Sequence, residues 1–366
     1  MSSKTVIIEI LEGMWPPNKA KGLLAQTVFK EETNRGEFGT NTGEKFLSGC
    51  WLLAPKDNEY YKFRFCFFVH PSVLRADEDV DLKGILQDKY RPFHAIAEFM
   101  DNAGVGVVYA VPVTANGELD LKNIAERTFD EIEWKLFSFQ NGNLIPRDSR
   151  EFFERWPGQR GRASFGSRWE APTKGKFKEL PERILMELLL NELFYTGFIK
   201  GMLKKPLKDP YDIDSFLISL SQKHIFPMEI KEKFPYENQT ERFFGIDVGR
   251  IMMLLRLCIP NDSNAVYLIR EVDEAGNFKG WKYMTLSDII MTASWNLQAG
   301  GTGMGGQATQ TVRLPYSYFK PFESNTLKEE TLKELGNMPR EIRSVAKQFG
   351  KELSKRFHSE GETDDQ

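Results

Sequence analysis

The chain has 366 residues, enough for two domains or for one domain with a large insertion. Hydrophobic residues make up 41% and charged residues 28%, and no apolar run approaches the ~20 residues of a membrane span; with no signal-peptide pattern in MSSKTVIIEILEG, a soluble cytoplasmic protein is expected. The net charge of −3 argues against a uniformly basic nucleic-acid binder and leaves room for a local basic channel.

Residues 1–150 read as an N-terminal α+β domain for recognition or dimerisation. Thr5 to Leu11, Phe46 to Leu53, Tyr60 to His70 and Val105 to Pro112 are strand-like, whereas Lys89 to Met100 and Leu119 to Phe137 have more helical spacing. The aromatic run Phe63, Phe65, Phe67 and Phe68 is expected in the core. Cys50, Cys66 and Cys258 sit in apolar surroundings, as buried thiols do, and their scatter fits neither a disulfide framework nor a zinc site. His70, His94, His224 and His358 show no paired spacing, so acid chemistry here has to rest on carboxylates.

Residues 151–180 form a basic Gly/Arg/Trp segment. Arg155, Arg160, Arg162, Arg168, Lys174, Lys176 and Lys178 interleave with Trp156, Phe165 and Trp169. It reads either as a solvated interdomain linker or as an arm that contacts nucleic-acid phosphates, guanidinium and ammonium groups being the natural partners of that backbone. Leu180 to Leu203 is the strongest helix signal, with Pro181 in its first turn and Gly197 as a stop. Its few acids, among them Glu187 and Glu192, fall on narrow polar stripes and are costly inside so apolar a helix unless they reach solvent, a partner or a metal.

In YDIDSFLISLSQKHIFPMEIKEK, Tyr211 to Lys233, an acidic residue opens one apolar strand, a short polar turn follows, and a second strand carries Glu229 and Lys231. Two apart on a strand, Glu229 and Lys231 share a face, expected to be open to a cleft, with Met228 and Ile230 on the other. The hairpin brings Asp214 beside them. Two carboxylates and an ammonium on one patch suit a hard divalent cation and a phosphate; Glu-x-Lys on the exposed face of an amphipathic strand is the plainer alternative.

Here the chain resembles the PD-(D/E)XK nuclease superfamily, in which an Asp on one strand and Glu-x-Lys on the next form the site. The resemblance covers residues 181 to 270, and it departs where Pro210 precedes Tyr211 and not Asp214, leaving Asp212 or Asp214 as the motif acid; Asp214 is preferred because the apolar strand starts right after it. It implies an α/β (mixed α+β) fold: a restriction-endonuclease-like core at 181–325, a central mixed sheet flanked by helices. It implies Asp214 and Glu229 as ligands of Mg²⁺, with Mn²⁺ an alternative, and Lys231 as the group that orients water or stabilises charge. In that family the preceding helix lends a Glu to the site, matched by Glu187 or Glu192, with Glu187 preferred. The implied activity is endonucleolytic, on double-stranded DNA more than RNA, in a restriction or phage-defence setting, with homodimerisation left open. A non-catalytic nucleic-acid-binding or assembly subunit on the same fold is the alternative. Arg160, Arg162, Arg168, Lys174 and Lys176 are the candidate backbone contacts.

Beyond Lys233, FFGIDVGRIMMLLRLCIP reads as a helix ended by Pro260, with Asp247 and Arg250 near its start and Arg250 able to face a phosphate path. Ala265 to Val272 and Lys279 to Met284 make a hairpin, and Thr285 caps a helix over Leu286 to Leu297. Gly301, Gly303 and Gly306 spell G-x-G-x-x-G but follow a helix and precede a strand-like segment, so an NAD-linked enzyme is disfavoured and a loop expected. Residues 326–366 are expected to be a charged helical segment and a disordered acidic tail.

Overall fold

The computed structural model describes residues 2–38, 45–53, 65–86, 93–154, 156, 168–205, 211–218, 224–238, 241–302, 308–324, 326–336, 339 and 342–344. The chain forms two compact units, residues 1–29 with 48–213 and residues 30–47 with 214–366. Each is mixed α+β, with a mixed sheet and helices packed on it. The helix over Glu182–Glu192 and the π-helix that continues it belong to the first unit.

The N-terminal elements are α1 (Ser3–Met14), α2 (Pro17–Asn34), β1 (Lys45–Leu53), β2 (Phe65–Val69), β3 (Leu74–Arg75), α3 (Leu82–Leu86), α4 (Phe93–Asn102), β4 (Gly106–Thr114), α5 (Leu121–Ala125), β5 (Glu133–Gln140), β6 (Asn143–Arg147), α6 (Ser149–Glu154), α7 (Ala171–Glu179), α8 (Glu182–Glu192) and a π-helix, Leu193–Met202. In the first unit β1, β2, β4, β5 and β6 lie side by side, with β3 beside β4. The β4 pairings with β2 and β3 are parallel and the others antiparallel.

Thr5 to Leu11 is helix and not strand. Its β-branched residues suggested a sheet, but Ile7, Ile8, Ile10 and Leu11 bury one helical face against a core that includes Trp15, Phe67, Leu185 and Leu189. The Ser2 hydroxyl accepts from the Thr5 N–H and starts the helix. Of Leu119 to Phe137 only α5 is helical, because Trp134 and Leu136 alternate as a strand must to pair with β4. Gly197 does not stop the long helix. The chain passes through it as π-helix, and a Cβ there would lie 3.3 Å from the Phe129 ring, so Gly197 is a close-approach position.

The C-terminal elements are β7 (Tyr211–Ile218), β8 (Ile225–Lys233), β9 (Tyr236–Glu237), β10 (Arg242–Asp247), α9 (Val248–Cys258), β11 (Val266–Val272), β12 (Phe278–Thr285), α10 (Leu286–Thr292), β13 (Ser294–Thr302), β14 (Ala308–Pro315), β15 (Lys320–Pro321) and α11 (Glu329–Gly336). In the second unit the sheet order is β15-β12-β11-β8-β7. The β7–β8 hairpin is antiparallel, as is β11–β12, while β8 and β11 are parallel with α9 between them in sequence and packed on β8. A second, antiparallel sheet has the order β13-β14-β10-β9.

Arg242 to Asp247 is strand, not the first turns of a helix; α9 begins only where Asp247 caps it through the Gly249 N–H. The cap predicted at Thr285 is present, as a capping box with Asp288, but α10 ends at Thr292 and not at Leu297, and the chain enters β13. Gly301 lies in β13, and Gly303 and Gly306 lie outside the described residues, as do residues 351–366. All three cysteines are free and buried. Among the described residues no helix is long and apolar enough to cross a membrane.

Candidate active site

The β7–β8 ladder runs from Ile218↔Ile225 to Ser215↔Met228. Just past it, the Asp214 carboxylate takes over from backbone: Oδ2 accepts the Ile230 N–H at 2.7 Å and Lys231 Nζ at 3.2 Å. Lys231 Nζ also lies 2.8 Å from Glu229 Oε1, so one ammonium bridges both carboxylates. Glu229 Oε2 has Arg250 Nη1 of α9 at 3.3 Å. The structure thus joins Asp214, Glu229 and Lys231, with Arg250 as a fourth member.

The face is less open than expected. The Asp214 and Glu229 side chains are 0% and 1% exposed, while Lys231 is 31% and Arg250 15% exposed. The cause is the cover supplied by β10 and α9. Gly245 of β10 presents its carbonyl to Lys233 Nζ and, at 2.9 Å, to the Tyr267 hydroxyl of β11, while Arg250 projects from the first turn of α9. On the other face of β10, a Cβ at 245 would meet Thr311 Cγ2 of the neighbouring strand β14 at 2.7 Å.

Burial shapes the ionisation here. It pushes the Lys233 ammonium down to about 8, helped by Lys231 and opposed by Glu229 and Asp247. It also pushes the Tyr267 phenol well up, as do the Glu229 and Asp214 charges, so Tyr267 stays a neutral donor. Lys233 and Tyr267 were missed as site members. The signal for Lys233 was present, because Glu229, Lys231 and Lys233 follow the same period of two; Tyr267 required the Glu229↔Tyr267 register of β8 and β11.

Glu187 and Glu192 lie on α8 in the first unit. Glu192 is buried, and although burial alone would raise its pKa, Lys19 and the Thr196 hydroxyl hold it below the usual carboxylate value. Of the two acids on β7, Asp214 lies 3.2 Å from Lys231 Nζ. Arg160 and Arg162 lie outside the described residues. Arg168 is exposed, Lys176 is half-buried on α7, and Lys174 pairs with Glu12 at 2.5 Å. Trp169 stacks on Trp15, so this end of the basic segment is built into the first unit's core.

Two carboxylates are a sufficient protein contribution for Mg²⁺, which completes its shell with waters and substrate oxygens. Among the described residues no group of three or more His, Cys, Asp or Glu gathers to hold a metal. The buried Glu229 Oε2 receives no hydrogen bond among those residues, so a hard cation there would take the place of its 3.3 Å contact with Arg250. Comparison of the chain with protein-family models, curated proteins and solved structures returned no match.

Proposed function

We propose that the chain is a metal-dependent endonuclease, with DNA the favoured substrate, built on a restriction-endonuclease-like core. The observation that carries this reading is the Lys231 ammonium within 3.2 Å of both Asp214 and Glu229 on adjacent strands. Asp214 and Glu229 would hold Mg²⁺, or Mn²⁺, which when bound supplies Lewis-acid stabilisation of charge on the phosphodiester. Lys231, the partly exposed member, would orient the attacking water and balance charge on the scissile phosphate. Arg250 fixes Glu229 through Oε2, and Lys233 and Tyr267 anchor β10 through the Gly245 carbonyl. Glu187 is kept as the accessory acid of this reading on the strength of the resemblance alone, and a restriction or phage-defence role rests on the same ground.

A non-catalytic nucleic-acid-binding or assembly subunit is favoured by one feature of the same geometry: Lys231 and Arg250 already give both buried carboxylates cationic neighbours, as a structural ion network would. Nicking of supercoiled plasmid separates the two. The nuclease reading predicts nicking in Mg²⁺ or Mn²⁺, none in excess chelator, and at best binding in Ca²⁺. Full activity in chelator overturns the metal requirement, and no nicking under any of these ions leaves the binding subunit.

A further inference from the structure

We propose that the outer face of the β9–β10–β14 sheet is a stacking platform for an unpaired base of single-stranded nucleic acid. This deepens the nuclease reading and rests on it for the choice of a nucleic acid as occupant.

The register places Tyr236 of β9 directly across from Phe243 of β10. Their rings lie 5.9 Å apart and 24° from parallel. Arg313 of β14, in register with Gly245, sets its guanidinium 4.5 Å from the centre of the Phe243 ring. Side chains alternate across a sheet, so this row faces away from Phe244, Ile246, Val312 and Leu314, all in the core. Tyr236 therefore fills no core position: it is 62% exposed, with Phe234 also exposed nearby.

Two rings and a guanidinium in a row offer aromatic surface with a cation at one end. That matches a base joined to a phosphate, and bases stack on such surfaces with little sequence preference. The acids of these strands are turned away or occupied. Glu237 is in register with Arg242 on the opposite face, and Asp247 accepts the Gly249 N–H at 2.7 Å. The platform is also tied to the acid–lysine site: Gly245, two residues beyond Phe243, carries the carbonyl held by Lys233 and Tyr267.

The test is fluorescence anisotropy of labelled oligothymidylate and of a fully paired hairpin of similar length, at low salt in Ca²⁺ without Mg²⁺ so that nothing is cut. Tyr236→Ala and Phe243→Ala should each weaken single-strand binding about tenfold, with Tyr236→Phe restoring it and hairpin binding unchanged. Tyr236 is exposed enough that its truncation leaves the thermal midpoint in place, so a weaker complex there does not reflect an unfolded chain. Wild-type affinity in both alanine variants, no single-strand binding by the wild-type chain, or Tyr236-dependent self-association in sedimentation without an effect on nucleic acid would each overturn the platform. Its failure leaves Mg²⁺-dependent cleavage by the wild-type chain intact, whereas failure of the nuclease reading removes cleavage and leaves the stacking result to stand.

Discussion

Lys233 shows how burial and function meet in a single side chain. Its ammonium is held over the Gly245 carbonyl, and burial, the largest cause, lowers its pKa from the ordinary 10.5 to about 8. The sign follows from proton counting. Below about pH 8 the residue is charged in both folded and unfolded chains, and the cost of burying that charge is fully present. Between about 8 and 10.5 the unfolded chain holds more protons than the folded one, so stability attributable to Lys233 rises with pH. Lys233→Met, which keeps the stem and removes the charge, should therefore be relatively more stable than wild type at pH 7, with the difference shrinking towards pH 10. Thermal midpoints of the two proteins across that range check this, and a difference that grows with pH contradicts it.

At the scale of elements, β10 covers the site, and at Gly245 it packs tightly beside Thr311 of β14. Gly245→Ala forces Thr311 Cγ2 to move, an overpacking that should cost about 1–3 kcal/mol in denaturant unfolding. Adding Thr311→Ser, which removes that methyl, should return most of the stability; an undiminished cost in the double variant would place the strain elsewhere. The sequence announced the hairpin because an apolar run, a polar turn and a period of two need no distant partner to be recognised. It misled at α1, where Ile7, Ile8 and Ile10 have strand-like chemistry but helical spacing, and at β10, whose strand character comes from pairing with β14. Glu192 was ambiguous for the same physical reason. Its partner Lys19 lies 173 residues away, and no local pattern reveals such a pairing.

At the scale of the whole chain, the proposed function divides labour between the acid–lysine site and the basic segment before it. Replacing Arg160, Arg162 and Arg168 by Ala should weaken binding to all sequences alike and flatten its salt dependence by roughly 0.9 in log–log slope for each phosphate that is no longer neutralised. An unchanged affinity and slope would make the segment a connection only. The most direct test of the central claim is the single-turnover cleavage rate of Lys231→Ala in Mg²⁺, beside its nucleic-acid affinity and thermal midpoint. Lys231 is partly exposed but bridges two buried carboxylates, so the midpoint should fall modestly, with Lys231→Gln as a second variant that keeps the stem. In both, binding should persist while the rate drops by on the order of 10² or more, as removal of a charge-stabilising or proton-handling group requires. Cleavage at the wild-type rate by either folded variant would contradict the site and the nuclease reading built on it.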